Sequence, residues 1–493
     1  MNNVKINPIT SLDYPDPDVI RVGDTYFMVS TTMHFFPCCE ILRSFDLMNW
    51  EHACFVCDTL DNTPSQRLED GNIYGKGMWV ACLRHNKCKF YVCFSCNDTH
   101  KTYLYTSDDI YGRWEKKIIE GFYHDCSLLF DDDGRVYIVY GNKEIWLTEL
   151  SDDLSSPKEN GVHRRIVYDR DNPILGYEGS HFYKINGRYY VFFIHSRPDR
   201  WMRCEACFSA DSIEGEFTGG DCLEDTMGYC GQGVAQGGIV DTPDGKWYAV
   251  LFQDRGAVGR IPVLIPVSWD NGRPVFGENG KIPERFEISS SREGYNYAPL
   301  TSSDDFRGKD LKPCWQFNHE PDRKYYAINS QKGYFRIISD RVCSNILQAK
   351  NTLTQRMTFP RCTVQITIDI SGLKDGDIAG ICALQGCYAW IGAAVRQGTK
   401  YIEMNSMGED GAVSKESVPL NSDRLTVGIS ADFENMKDEA VLYYVEKGEK
   451  IQLGSKLRLF FKLDHFTGCR AGLFMYSTET AGGYADFSDF RMN

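Results

Sequence analysis

Apolar and polar positions alternate over short runs along this chain, and the runs come in pairs. Five segments share one pattern: a few apolar residues, a tight polar turn, then an apolar run carrying Tyr, Phe or Trp. They read DPDVIRVGDTYFMVSTT from Asp16, WVACLRHNKCKFYVCFS from Trp79, DCSLLFDDDGRVYIVYG from Asp125, EGSHFYKINGRYYVFFI from Glu178 and QGGIVDTPDGKWYAVLF from Gln236. Alternation of this kind predicts strands, and Val-Gly-Asp, His-Asn-Lys, Asp-Asp-Gly, Asn-Gly and Asp-Gly are hairpin turns. Spacings of about 45–65 residues suit propeller blades. A second echo follows most hairpins: Ser44 to Trp50, Ser107 to Trp114, the run from Ser209 and a weaker version from Ser151. It predicts a turn at the outer end of each blade. The expectation for residues 1–300 is a five-bladed β-propeller, with a sandwich or barrel of similar hairpins as the alternative.

Residues 291–305 are polar and turn-rich and mark a boundary. Beyond them, short runs such as YFRIIS, CTVQITIDI, YAWIGAAV, LTVGISADF and AVLYYVE predict a β-sandwich over residues 301–493. The whole chain is therefore expected to be all-β. No catalytic cluster is evident in the second part.

Composition narrows the chemistry. Aromatics at 13% and charged residues at 25% fit a globular protein. The formal net charge of −14, with no basic stretch, argues against nucleic acid and suits a neutral substrate. No apolar run is long enough to span a membrane. The N-terminal segment has no apolar signal region, so a cytoplasmic location is expected. The 19 cysteines are scattered and odd in number, which predicts reduced thiols. Cys54/Cys57, Cys93/Cys96 and Cys204/Cys207 form C-x-x-C pairs. The first two pairs together could hold zinc, but their interleaving with strand-like aromatics favours buried thiols.

Overlaying the repeats puts Asp16, Trp79, Asp125, Glu178 and Gln236 at one place, the start of each blade's first strand, which lines the central channel. Three acids would then converge, which is costly unless they share protons or bind a ligand. Glycosidic hydrolysis uses such a group. One acid protonates the leaving oxygen and a carboxylate activates water; in inverting enzymes the two stand ~6.5–9.5 Å apart. A third acid can raise the donor's pKa. Taken singly, each of the three reads as an ordinary turn or loop acid, and only their equivalence points to function.

These motifs resemble glycoside hydrolase family 43. Asn7 to Asp18 resembles its N-terminal motif, which makes Asp16 the general base. Asp125 to Gly134 resembles the motif of the acid that tunes pKa and orients substrate. Tyr177 to Lys184 resembles the proton-donor motif and implies that Glu178 is the donor, with Ser180 in place of the family's usual proline. The second part resembles the concanavalin-like β-sandwich of β-xylosidases and arabinofuranosidases, down to its ending Tyr484 to Phe490. In such relatives a sandwich loop helps close the pocket.

The resemblance implies an exo-acting, inverting enzyme that releases terminal β-D-xylosyl or α-L-arabinofuranosyl residues from plant oligosaccharides. Arg260 is expected to reach substrate hydroxyls near the tuning acid. Trp79, Phe35 and Phe36 are expected either to stack on the sugar or to pack at the channel mouth. His124 and His181 adjoin catalytic positions and are read as structural. Many members place a His near a central cation; here Gln236 stands there, is expected to bind substrate through hydrogen bonds and offers one oxygen, so calcium is compatible with the pattern but not required for chemistry. A homo-oligomer is compatible with the sequence. A sugar-binding propeller without catalysis is the competing class, and a retaining fructosidase-type enzyme lacks its N-terminal Asp motif here.

Overall fold

The computed structural model describes residues 6–169 and 171–493. Five four-stranded antiparallel sheets form the propeller. Blade one holds Asp18–Val22, Thr25–Ser30, Cys38–Ser44 and Glu51–Cys57, and blade two begins at Met78–Asn86. Blades three, four and five begin at Ser127–Phe130, Glu178–Ile185 and Val234–Asp241. The hairpin turns follow the sequence closely. Asn186 and Gly187 both take positive φ, as a two-residue turn of the favoured hand requires. In blade two the turn falls on Lys87 and Cys88, one residue later than the His-Asn-Lys reading, and both take positive φ despite having side chains. The Ser-Asp echoes fall between the third and fourth strands of their blades, as expected. Ser44 Oγ, for example, accepts from the backbone N–H of Asp46 and Leu47 at 3.1 and 2.8 Å.

Two sheets form the second domain. One runs through Gln316–Asn318, Leu353–Arg356, Arg470–Ser477 and Asp377–Leu384 to Val413–Pro419; the other includes Tyr484–Met492, Arg361–Asp369 and Arg424–Asp432. Their inner faces enclose an apolar core that includes Ile366, Ile381, Val427 and Phe487. The first sheet also takes in a two-residue strand from blade one, Phe35–Phe36, where Phe36 pairs with Phe317 and Phe35 with Asn318. Phe35 and Phe36 are 1% and 0% exposed. Of the two expectations for them, packing is what the fold realises. Phe36 lies in the blade core, and Phe35 lies beneath the Arg470 guanidinium, 3.6 Å from its ring centre.

Backbone pairing across the seam is backed by buried charge. Arg356 of the sandwich donates to Glu40 of blade one at 2.8 Å, with both side chains buried. Asp13 accepts from Arg260 N at 2.7 Å and from Gly468 N at 2.8 Å. One carboxylate thus joins the N-terminal segment, blade five and a sandwich loop.

The cysteine expectation needs one correction. Cys38 and Cys57, paired across the third and fourth strands of blade one, form a disulfide. The other described cysteines are free thiols. The zinc arrangement is thereby ruled out, because Cys57 is bonded to Cys38, Cys54 Sγ donates to Ile110 O at 3.0 Å and Cys96 Sγ donates to Asp98 at 2.8 Å. No described helix is long and apolar enough to cross a membrane.

Candidate active site

Each blade enters the channel through one residue in left-handed backbone. These are Asp16, Val80, Asp125, Gly179 and Gln236, with φ of 53, 32, 51, 67 and 56°. The side chain two positions on then faces the channel and can accept a hydrogen bond from the next blade. Leu83 N donates to Asp18 Oδ2 at 2.7 Å, Leu128 N to Cys82 Sγ at 3.2 Å and Phe182 N to Ser127 Oγ at 3.0 Å. The sequence overlay is therefore off by one in two blades. The true equivalents of Asp16, Asp125 and Gln236 are Val80 and Gly179, so Trp79 and Glu178 stand one residue earlier, nearer the mouth. A strand reverses its facing with every residue. The shift accordingly gives Glu178 a different exposure from the two aspartates: its side chain is 20% exposed, against 4% for Asp16 and 5% for Asp125.

At the fourth entry point glycine leaves room for a neighbouring side chain. A Cβ on Gly179 would lie 2.6 Å from the Gln236 amide, in a backbone conformation that already disfavours side chains. The Gln236 backbone is held in turn by its own N–H, which donates to buried Glu205 at 2.7 Å.

Asp16 is buried, and its Oδ1 accepts from Arg260 Nη1 at 2.9 Å. Arg260 is equally buried, donates to Phe466 O at 3.3 Å and stacks 4.3 Å from the Phe466 ring centre. It is a partner of the candidate base, which the sequence did not foretell. Asp125 Oδ2 accepts from Gly179 N at 3.2 Å, while Oδ1 is buried without a hydrogen-bond partner. Burial pushes the Asp125 carboxyl up; the neighbouring His124 pulls it down, and Glu178 and Asp16 push it up again, leaving it at about 7. Glu178 and Asp16 are thus close enough for their charges to act on the Asp125 carboxyl.

His124 stands between two of them, with Nε2 3.6 Å from Asp125 Oδ2 and 3.9 Å from Glu178 Oε2. The Asp125 charge raises it to about 9, against burial and with help from Glu178. Asn142 donates to Glu178 Oε2 at 2.5 Å. Trp79 lines the mouth, its ring 6.2 Å from His124 and 5.5 Å from Phe466. Phe466 comes from the sandwich, so the second domain supplies part of the pocket wall. Neither Asn142 nor Phe466 carries a signal in the sequence, because each is brought in only by packing.

Below this level the channel is plugged. Asp18 is fully buried. Its Oδ2 accepts from Arg84 Nη1 at 2.7 Å, and its Oδ1 lies 3.0 Å from His181 Nδ1 and 3.4 Å from the Tyr183 hydroxyl. A Cβ at Gly238 would fall 2.7 Å from Asp18 Oδ1 and 2.9 Å from the Tyr183 oxygen, so the blade-five position must be glycine.

Carboxylates gathered at one end of a channel are the equipment of a glycosidase, which works with a pair of Asp or Glu side chains. Residues 6–274 match Glycosyl hydrolases family 43, and the chain belongs to that family. Residues 303–493 match the Beta xylosidase C-terminal Concanavalin A-like domain. Among curated relatives, a beta-xylosidase of Formosa agariphila is 27% identical, covering 98% of this chain and 89% of its own length. A xylan 1,3-beta-xylosidase of a Vibrio species is 34% identical over 82% of this chain and 80% of its own. A bifunctional GH43-CE protein of Bacteroides eggerthii superposes with a TM-score of 0.93 at 40% identity; it covers all of this chain, which spans 64% of that one.

The central cation implied by the family pattern does not fit these residues. Calcium takes roughly six to eight oxygen ligands. Here the channel beneath Asp16 holds the Arg84 guanidinium, and both Asp18 oxygens are engaged. Gln236 supplies a single side-chain oxygen. Among the described residues, the one cluster with metal-type ligand atoms is His124, Asp125 and Glu178. It sets an imidazole beside two of the candidate catalytic acids.

Proposed function

We propose that this protein is an exo-acting, inverting glycosidase that releases terminal β-D-xylosyl or α-L-arabinofuranosyl residues from plant-derived oligosaccharides. The observation that carries the reading is the shared site of Asp16, Asp125 and Glu178 at one end of the channel, roofed on one side by Phe466. Asp16 is the base. Arg260 holds one of its oxygens and the other faces the water that attacks the anomeric carbon. Glu178, nearer the mouth and less buried, gives its proton to the leaving oxygen. Asp125 is the third acid, the tuner, which sits beside the donor's blade, with Gly179 N–H on one of its oxygens. Trp79 offers an apolar ring to the sugar, and Arg260 offers its remaining N–H groups to sugar hydroxyls.

The wall that the sandwich contributes through Phe466 supports cleavage of one terminal sugar. The xylosidase and arabinosidase names of the relatives support the choice of pentose, including a Xylosidase/arabinosidase of Butyrivibrio fibrisolvens, 23% identical over 98% of both chains.

A panel of aryl glycosides differing in sugar and anomer tests the substrate. Aryl β-D-xyloside or α-L-arabinofuranoside is expected to be cleaved, with Glu178→Gln and Asp16→Asn each losing roughly 10²–10⁴-fold in kcat. Proton NMR of the first-formed sugar should show inverted configuration. Retained configuration, or full turnover by either variant, overturns the assignment.

A further inference from the structure

One side chain beneath the site touches more of the propeller than any catalytic residue does. Arg84 projects from blade two into the channel and is 9% exposed. Its Nη1 donates to Asp18 Oδ2 of blade one at 2.7 Å and to Leu83 O of its own blade at 2.6 Å. Its Nε donates to Leu128 O at 2.8 Å, and its Nη2 to Ser127 Oγ at 2.7 Å, both in blade three. Nη2 also reaches Phe182 O of blade four at 3.3 Å. The guanidinium lies over the Tyr183 ring, 5.1 Å from its centre.

The positions it grips bear a fixed relation to the candidate catalytic acids. Asp18 is two residues after Asp16, Ser127 two after Asp125 and Phe182 four after Glu178. All three acids sit at the tips of first strands, and Asp16 and Asp125 are held in left-handed backbone that strands do not favour. Arg260, Gly179 N and Asn142 hold the carboxylates themselves, while the strands that carry them are fixed from behind. A planar fork with five N–H donors can serve three strands at fixed angles, which a lysine ammonium cannot.

We infer that Arg84 is a positioning residue for this active site: by tying the strands behind Asp16, Asp125 and Glu178 into one hydrogen-bonded hub, it sets the spacing of the three carboxylates. The inference rests on the reading of those acids as base, tuner and donor. Displacing reacting groups by about 1 Å can cost on the order of 100-fold in rate with little loss of binding. Damage to the hub should therefore appear in kcat before KM.

The test uses the full-length protein and an aryl pentoside that it cleaves. Arg84→Lys keeps the charge beside Asp18 but loses the fork; Ser127→Ala removes the link to blade three alone. A third variant, Asp18→Asn with Arg84→Met, removes the charge pair and leaves no buried charge unpaired. Arg84→Lys is expected to lower kcat by about 10–100-fold while KM stays within about threefold. Ser127→Ala should lose less in the same ratio, and the double variant should be folded but at least as slow as Arg84→Lys. Folded Arg84→Lys and double variants with wild-type kcat would overturn the inference, as would losses that follow Tm and not the kcat-to-KM split. Glu178→Gln, run alongside, separates the two claims. If it retains turnover, the catalytic assignment has failed. If it is inactive while the Arg84 variants are unaffected, the hub has failed.

Discussion

Asp125 and Asp18 lie in the same channel, both buried, and meet opposite surroundings. Burial would raise Asp18 too, but Arg84 and then His181 outweigh it and bring its carboxyl down to about 2. Each Asp18 oxygen has partners, and the guanidinium answers its charge. Asp125 keeps one oxygen unpartnered, has two acids for neighbours and finds only His124 and the Gly179 N–H on the opposing side. At the floor both Asp18 oxygens are answered and only His181 Nε2 lacks a partner, whereas at the mouth Asp125 Oδ1, Arg260 Nε and Trp79 Nε1 are all left without one. Unspent hydrogen-bonding capacity and crowded charge are what a substrate and a moving proton can use, so the contrast separates scaffold from site without reference to any relative.

Changing Asp18 to Asn should produce the largest effect on this comparison. It leaves the Arg84 charge buried and unpaired, and a loss of roughly 3–5 kcal/mol in unfolding free energy is expected by denaturant titration. Asp125→Asn should do the reverse for stability while abolishing most turnover. A carboxyl raised to about 7 contributes stability that is present below its unfolded pKa and lost as pH rises through about 7. At pH 8 the amide escapes that loss, so the variant should unfold at a higher denaturant midpoint, by on the order of 1–3 kcal/mol, with the gain fading near pH 4. An Asp125→Asn variant that is less stable at pH 8 would show that the mouth is not strained as described.

His124→Asn is a finer probe. The imidazolium beside Asp125 favours its charged form, so its removal should leave the Asp125 carboxyl protonated to higher pH. The fall in unfolding free energy that accompanies Asp125 ionisation is expected to move up by about half to one pH unit, read by denaturant titration across pH. The smallest effect should come from chelation. With Arg84 as the positive charge within the channel, EDTA should leave kcat and the melting temperature unchanged, and a drop restored by calcium would contradict the poor fit of these residues to that ion.

Much of this was legible in the chain. The five hairpins, their outer turns and the sandwich all come from local alternation and turn chemistry, which the tertiary structure had no reason to override. The acids Asp16, Asp125 and Glu178 stood out through repetition. Repetition also misled slightly: an overlay by residue type aligned Glu178 with the aspartates, although the left-handed entry residue of blade four is Gly179. The pattern records which residues recur, not the single-residue register at which each strand bends. Phe35 and Phe36 illustrate a second limit. Two aromatics beside a channel mouth can face sugar or core, and a strand pairing with Phe317 and Asn318, some 280 positions away, settled it.

What the sequence by itself determined is the blade repeat, the two-part all-β layout and the three carboxylates at the strand tips, because each depends on neighbours within a few residues. Only the tertiary structure decided which groups answer those carboxylates. Arg260 pairs with Asp16 across 244 positions and Arg84 with Asp18 across 66, while Phe466 reaches the pocket from the other domain. Hydrogen bonds and charges act over a few ångströms of space, whatever the distance along the chain. The mouth and the floor of the channel therefore acquired their opposite characters only when the ring closed.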